Sequence, residues 1–324
     1  MKFRTEIPVS EASNKLDYSD SALFLGSCFS VHIHSKMFGL KFDSKSNPFG
    51  IVYNPLSLSS QLLRLVKNTD YTEKDLHFHN ERWFSFDHHS DFSFTDKNEC
   101  LTVINHRLNS THKQIRTAKY IFITLGSSWV YRRTETNEIV SNCHKISAKN
   151  FTKSLAETYE MIAQLSSAIS KIKELNPAIQ FVFSVSPVRH LSDGFFENQV
   201  SKGRLFDVIY NLTQNDSNIQ YFGSYEMVQD DLRDYRFYNS DLLHPSKEAI
   251  EYIWDKFMNT FISEESKKVI PMLEKVIQAA NHRPFNPTSE AHQKFIAKTL
   301  VQIKSLEKVV FGGFEEEKSQ LHKL

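Results

Sequence analysis

The chain has 324 residues, 40% hydrophobic and 24% charged, with 39 Lys+Arg against 38 Asp+Glu and a net charge of +1. Such a balance belongs to a globular protein with a substantial core, and it lacks the basic or acidic excess that would recruit nucleic acid or an anionic membrane surface. Cys28, Cys100 and Cys143 are odd in number and far apart, which argues against a disulfide framework or a zinc site and fits free thiols in a reducing cytoplasm. The first twenty residues contain no apolar core of a signal peptide, and no run approaches the ~18 apolar residues of a membrane span. A cytoplasmic location is therefore expected.

Short apolar runs alternate with longer amphipathic stretches along the chain. "ALFLGSC" (22–28) reads as a buried strand, followed by a helix from about Ser30 to Phe38 that Gly39 ends. A weaker strand near 40–43 leads into "SNPFGIVYNP", a loop dense in turn residues. Helices are predicted over 54–67 and 98–117, the second behind Asp96 with Glu99 in capping-box position. "KYIFITLG" (119–126) and "IQFVFSVSPV" (179–188) are clear strands, with a long helix of about 150–175 between them. A helix at about 198–211, a strand at 219–228 and a helix opening at Pro245 complete an alternation that predicts a parallel sheet covered on both faces. After Ile262 only amphipathic helices are expected, as an extension over 263–324.

Ser27 and Cys28 stand side by side where the first strand exits into a helix, a turn that exposes a nucleophile beside free backbone N–H groups. A bare serine needs a base within hydrogen-bond reach. "NSDLLHPSKEA" (239–249) offers one, since Asp241 and His244, three residues apart, can face the same side. The carboxylate would then hold one ring nitrogen and leave the other to accept a proton.

Together these features resemble the SGNH (GDSL-like) esterase superfamily, and the longer motifs resemble its GSCFA domain family. "GSCFS" stands where the family's name motif ends in alanine. "NPFGIVYNP" (47–55), "TLGSSWVYRR" (124–133), "SNCHK" (141–145), "SVSPVRHLSDG" (184–194) and "DLRDYRFYNSDLLHPS" (231–246) follow in order. The resemblance covers roughly residues 1–262, with inserted segments at about 71–95 and 129–147. It implies a three-layer α/β/α sandwich with a mostly parallel, flavodoxin-like sheet.

The resemblance also implies roles. Ser27 would be the nucleophile, His244 the base and Asp241 its orienting acid. The backbone N–H groups of Ser27 and Gly50 would face the oxyanion. Superfamily members place an asparagine two residues after a glycine as a third donor. Here Gly126-Ser127-Ser128 fills that turn, so the donor is either Ser128 or, from the following segment, Asn142. A thiolate at a helix start beside a histidine would be activated too, which makes Cys28 a rival. Adjacent residues at a strand exit point opposite ways, and the family register selects Ser27, leaving Cys28 beneath the turn.

"LHFHNERWFSFDHHSDFSF" (76–94) carries His77, His79, His88 and His89, yet it has no cysteine and no His-Glu-x-x-His helix. A hairpin beside the active site, lending aromatics and His88 or His89 to a pocket, is expected rather than a metal centre. Arg189 would suit a carboxylate or phosphate on the substrate, or else pair with the acidic run of the 230s. His144 is either a pocket wall or a structural histidine. The expected activity is hydrolysis of an acyl ester, an O-acetyl group on a carbohydrate-like substrate, with no metal or organic cofactor. Acyl transfer through the same residues and a non-catalytic ligand-binding module are the alternatives.

Overall fold

The apolar runs become the strands of a central sheet. The computed structural model describes residues 4–323. In chain order it runs β1 (Ser21–Gly26), α1 (Cys28–Gly39), β2 (Asp43–Ser46), α2 (Pro55–Lys67), β3 (His77–His79), β4 (Arg82–Phe84), α3 (Lys97–Ile115) and β5 (Tyr120–Leu125). There follow β6 (Trp129–Arg133), β7 (Ile139–Val140), β8 (Phe151–Leu155), α4 (Thr158–Leu175), β9 (Gln180–Val185), α5 (Phe195–Asn215), β10 (Ile219–Tyr221) and the short α6 (Ser224–Glu226). The chain closes with α7 (Lys247–Phe261), α8 (Glu264–Asn281), α9 (Glu290–Leu306) and α10 (Glu315–Lys323).

The five-stranded sheet has the order β10-β9-β5-β1-β2, every pair parallel. Numbered within the sheet alone, that is the 2-1-3-4-5 order of flavodoxin-like folds. β1 and β5 are buried along their whole lengths, as continuous apolar runs covered on both faces should be. Their alternate residues feed two cores. Leu23, Leu25, Ile121 and Ile123 pack with α2, α3, α4 and α5, whereas Ala22, Phe24, Tyr120 and Phe122 pack with α1 and α7. The chain order reverses between β1 and β5, and the crevice at their carboxyl ends is where ligands bind in such sheets.

Three elements differ from expectation. Helix α4 starts at Thr158, not 150, because 151–155 is strand β8. β8 pairs antiparallel with β6, which also holds β7, so a separate sheet overrides the local helical pattern. β2 lies at 43–46 rather than 40–43, since Leu40 caps α1 and Lys41, at φ 61°, turns the chain before the strand begins. The last strand ends at Tyr221, and the chain coils into α6 and a π-turn at Met227–Asp231. The expected hairpin is present as β3 and β4.

The C-terminal helices share the second core. Leu273, Val276, Ala280, Ile303, Leu306, Val310, Phe314 and Leu321 are buried in one cluster with Phe29, Ile33 and Met37 of α1 and Phe257 of α7. No described helix is long and apolar enough to cross a membrane.

Candidate active site

Gly26 makes the turn out of β1. Its φ is +114°, and a Cβ there would lie 2.1 Å from the Thr124 carbonyl oxygen, so only glycine fits. The Ser27 N–H donates to that same carbonyl at 3.0 Å. Ser27 is 0% exposed, its extended backbone (ψ 171°) precedes α1 without a side-chain cap, and its Oγ has no hydrogen-bond partner. Cys28 opens α1 and is only partly buried. Of the two, Ser27 is the enclosed residue and Cys28 the half-buried one, not the buried residue expected. The Ser27 side chain lies against the Gly126 turn, its Cβ 3.3 Å from where a Cβ on Gly126 would stand. Burial pushes the Cys28 thiol up, while the backbone N–H groups of Phe29 and Cys28 and the Lys202 ammonium pull the other way. Tyr53 stands close enough to feel the Cys28 charge.

The Asp241–His244 pair forms as the sequence spacing predicts. Asp241 Oδ1 accepts from the N–H groups of Leu243 (2.9 Å) and His244 (3.0 Å), and Oδ2 lies 2.7 Å from His244 Nδ1. Those backbone bonds, with the imidazole, hold the carboxyl down to about 2. An acceptor at Nδ1 fixes the ring with its proton there and leaves Nε2 to act as a base. Ser246 then caps α7, accepting from the Ala249 N–H. His244 acts electrostatically on His32, one turn beyond Cys28 on α1, and on His190 at the end of the β9 loop.

Lys202 is the residue sequence reasoning missed. Its side chain is fully buried, and Nζ donates to the carbonyls of Ser186 (2.7 Å) and Gly126 (2.9 Å). Burial drives the amine down to about 7, Arg189 adds to that, and Cys28 opposes it. The signal was present: Asn198, Ser201, Lys202, Leu205, Val208, Ile209 and Leu212 form the buried stripe of α5, and a lysine on that stripe needs an explanation. His190 completes the wall, its ring 5.1 Å from that of Tyr53, its Nε2 buried without a partner, and its imidazole pushed by burial down to about 4.

The remaining expected residues divide. The Gly50 N–H donates to the Asn47 carbonyl at 2.8 Å, so neither it nor the Ser27 N–H is free for an oxyanion. Gly126 is required by packing, since a Cβ would meet the Tyr53 ring at 2.8 Å. Ser128 is fully buried, with both its N–H (2.9 Å) and its Oγ (3.2 Å) on Ser201 Oγ. Asn142 Oδ1 accepts from the His144 N–H at 2.7 Å, turning the side chain back on its own loop. His144 is structural: it stacks on Phe84 at 4.0 Å and bonds the Ser85 and His88 carbonyls. Burial among Phe49, Tyr71 and Phe92 pushes His88 down to about 3, with neither ring nitrogen partnered. His89 backs Gly50, where a Cβ would meet His89 Cβ at 2.3 Å. Arg189 pairs with Asn198 (2.7 Å), not with the acidic 230s. Among the described residues no group of three or more His, Cys, Asp or Glu is placed to hold a metal ion.

A model of the GSCFA family matches residues 21–257, and one described as the GSCFA domain protein C-terminal domain matches residues 273–324. No curated protein matches the chain at a significant level. Among solved structures, a carbohydrate esterase family 3 protein from Talaromyces cellulolyticus is similar over 79% of this chain and 99% of its own, at 6% identity and a TM-score of 0.35. A family two carbohydrate esterase from Clostridium thermocellum, in complex with cellohexaose, is similar over 82% and 67%, at 11% identity and 0.36. The acetyl xylan esterase Est2A of Butyrivibrio proteoclasticus is similar over 85% and 66%, at 10% and 0.34.

Proposed function

Because the chain belongs to the GSCFA family, and because Asp241 and His244 form a hydrogen-bonded pair on the turn before α7, we propose that it hydrolyses acyl esters. The substrate we propose is an O-acetylated carbohydrate. The carrying observation is the 2.7 Å contact between Asp241 Oδ2 and His244 Nδ1, which leaves Nε2 as the nitrogen that can accept a proton. In the reaction His244 Nε2 takes a proton from a nucleophile on the β1–α1 turn as that group attacks the ester carbonyl. It then returns the proton to the departing alcohol, and Asp241 keeps the ring oriented and stabilises the imidazolium. Water, activated by the same imidazole, releases the acid. No metal or organic cofactor enters this chemistry.

The His244 side chain is 41% exposed, which leaves room for a bulky alcohol. Beside it a cavity of about 280 Å³ is lined by Arg189, Phe195, Tyr235, Tyr238 and Leu242, rings and donors suited to a sugar face and its hydroxyls. Acetate release from p-nitrophenyl acetate and from acetylated xylo-oligosaccharides tests the reading. His244→Ala should lower kcat by about 10³ or more with the fold intact. Equal turnover in that variant, or none in the native protein, would reject it. A second reading, a binding module, is favoured by one observation: the Ser27 and Gly50 N–H groups are already engaged within the protein.

A further inference from the structure

We infer that the inner face of α5 is the frame that holds the two halves of this site in register, with Lys202 as its central positioning residue. The inference rests on the acyl-hydrolase reading above. The buried stripe of α5 changes character along its length. Leu205, Val208, Ile209 and Leu212 are apolar and join the core that also receives Leu25 and Ile123. Asn198, Ser201 and Lys202, nearer the helix start, are polar and no more than 4% exposed. Their spacing of i, i+3 and i+4 sets the three side by side.

These groups bond the turns at the carboxyl ends of both β5 and β9. Ser201 Oγ accepts from the Ser128 N–H at 2.9 Å and bonds the hydroxyls of Ser127 and Ser128 at 3.2 Å. Lys202 Nζ donates to the Gly126 carbonyl after β5 and to the Ser186 carbonyl after β9. Asn198 holds the rest of the β9 loop. Its Oδ1 accepts from Arg189 Nε at 2.7 Å, and its Nδ2 donates to the His190 carbonyl at 3.1 Å. Each turn in its own way touches one half of the site. The Ser27 side chain lies against Gly126, and the Arg189 N–H donates at 3.4 Å to the carbonyl of Leu243, the residue before His244. A continuous run of contacts therefore joins the β1–α1 turn to the Asp241–His244 turn, and it passes through α5.

Satisfying two carbonyls does not by itself call for a lysine. An enclosed ammonium is the most expensive donor for that purpose, and lysine is almost never fully buried. A serine or a water could cap either oxygen alone. The long side chain adds one group bonded to both turns, so that neither shifts without the other. That matters for the proposed reaction, because the imidazole on one turn must meet a nucleophile on another, and a displacement of about 1 Å can cost about 10²-fold in rate.

The test is a mutant cycle read with p-nitrophenyl acetate. Lys202→Met should lower kcat about 10- to 10²-fold with KM within severalfold, and so should Asn198→Leu, which cuts the path to the base alone. Gly203→Ala, on the exposed side of the same helix, should leave kcat unchanged. In a His244→Ala background each of the two should cost less than about threefold, since a frame has no effect once the group it places is gone. Equal losses in both backgrounds would mean only a smaller folded fraction and would overturn the proposal, as would full activity in both single variants. If Lys202→Met does not fold, Asn198→Leu carries the cycle. If the native protein hydrolyses no ester, the esterase reading fails, and hydrogen exchange decides the frame separately. The amides of 239–245 should then exchange at least about tenfold faster in Asn198→Leu than in the native protein, with α7 unchanged. An unaltered 239–245 segment would show that α5 does not hold the base.

Discussion

At the scale of single residues, Asp241 is fixed by two backbone N–H groups before the imidazole reaches it. Asp241→Asn should keep those bonds, because its Oδ1 still accepts both. Its amide would instead present a donor to His244 Nδ1, force the proton onto Nε2 and remove the base. We expect kcat to fall by about 10³–10⁴ with little change in Tm, checked by steady-state kinetics beside thermal denaturation. Lys202 gives a pH-dependent prediction. Its folded-state pKa, about 7, lies below the ordinary 10.5, so above about pH 7 the unfolded chain binds the extra proton. The stability it contributes is complete above 10.5 and is lost as pH falls through 7. Measured by urea denaturation, the native protein should therefore gain on Lys202→Met between pH 7 and 10; a constant difference would show an amine that stays charged in the fold. The Asp-x-x-His pair was legible because both members sit on one short turn whose geometry follows from spacing. The full burial of Ser27 was not, since the turn that carries it closes on Thr124, nearly a hundred residues away.

At the scale of elements, the site depends on how closely β1 and β5 approach. Gly26→Ala would drive a methyl group to 2.1 Å from a backbone oxygen at φ +114°, and should cost about 2–4 kcal/mol of stability or abolish folding. Gly203, exposed within α5 with nothing in reach of an added Cβ, is the contrast: Gly203→Ala should stabilise by about 0.5–1 kcal/mol, read from the urea midpoint. The strands of the sheet were legible wherever burial on both faces wrote an unbroken apolar run, as in Tyr120–Leu125. β8 was not. Its pattern, exposed at Thr152, Lys153 and Ser154, has no meaning until β6 lies beside it. The inserted histidines were legible as a hairpin but not in their destination, because the aromatic nest around His88 joins the neighbouring Phe92 to Phe49 and Tyr71 from two other segments.

At the scale of the whole molecule, the last helices finish a core that the first helix begins. The Gly312 N–H donates to the Lys41 carbonyl, Lys41 Nζ reaches Glu317 at 2.7 Å and lies over the Phe314 ring, and Phe314 is fully buried. Removing the chain after Ile262 would uncover the inner sides of α1 and α7, so the truncated protein should aggregate or bind a hydrophobic dye such as ANS. A truncated form that stays monomeric and equally stable would show that the extension merely decorates the sheet. The same closure has a consequence for biosynthesis. A ribosome releases α1 early, and at cellular rates of elongation the segment that seals it follows on the order of tens of seconds later. Throughout that interval Phe29, Ile33 and Met37 lack their final cover, and the nascent chain is a natural client for chaperones until its distal end arrives.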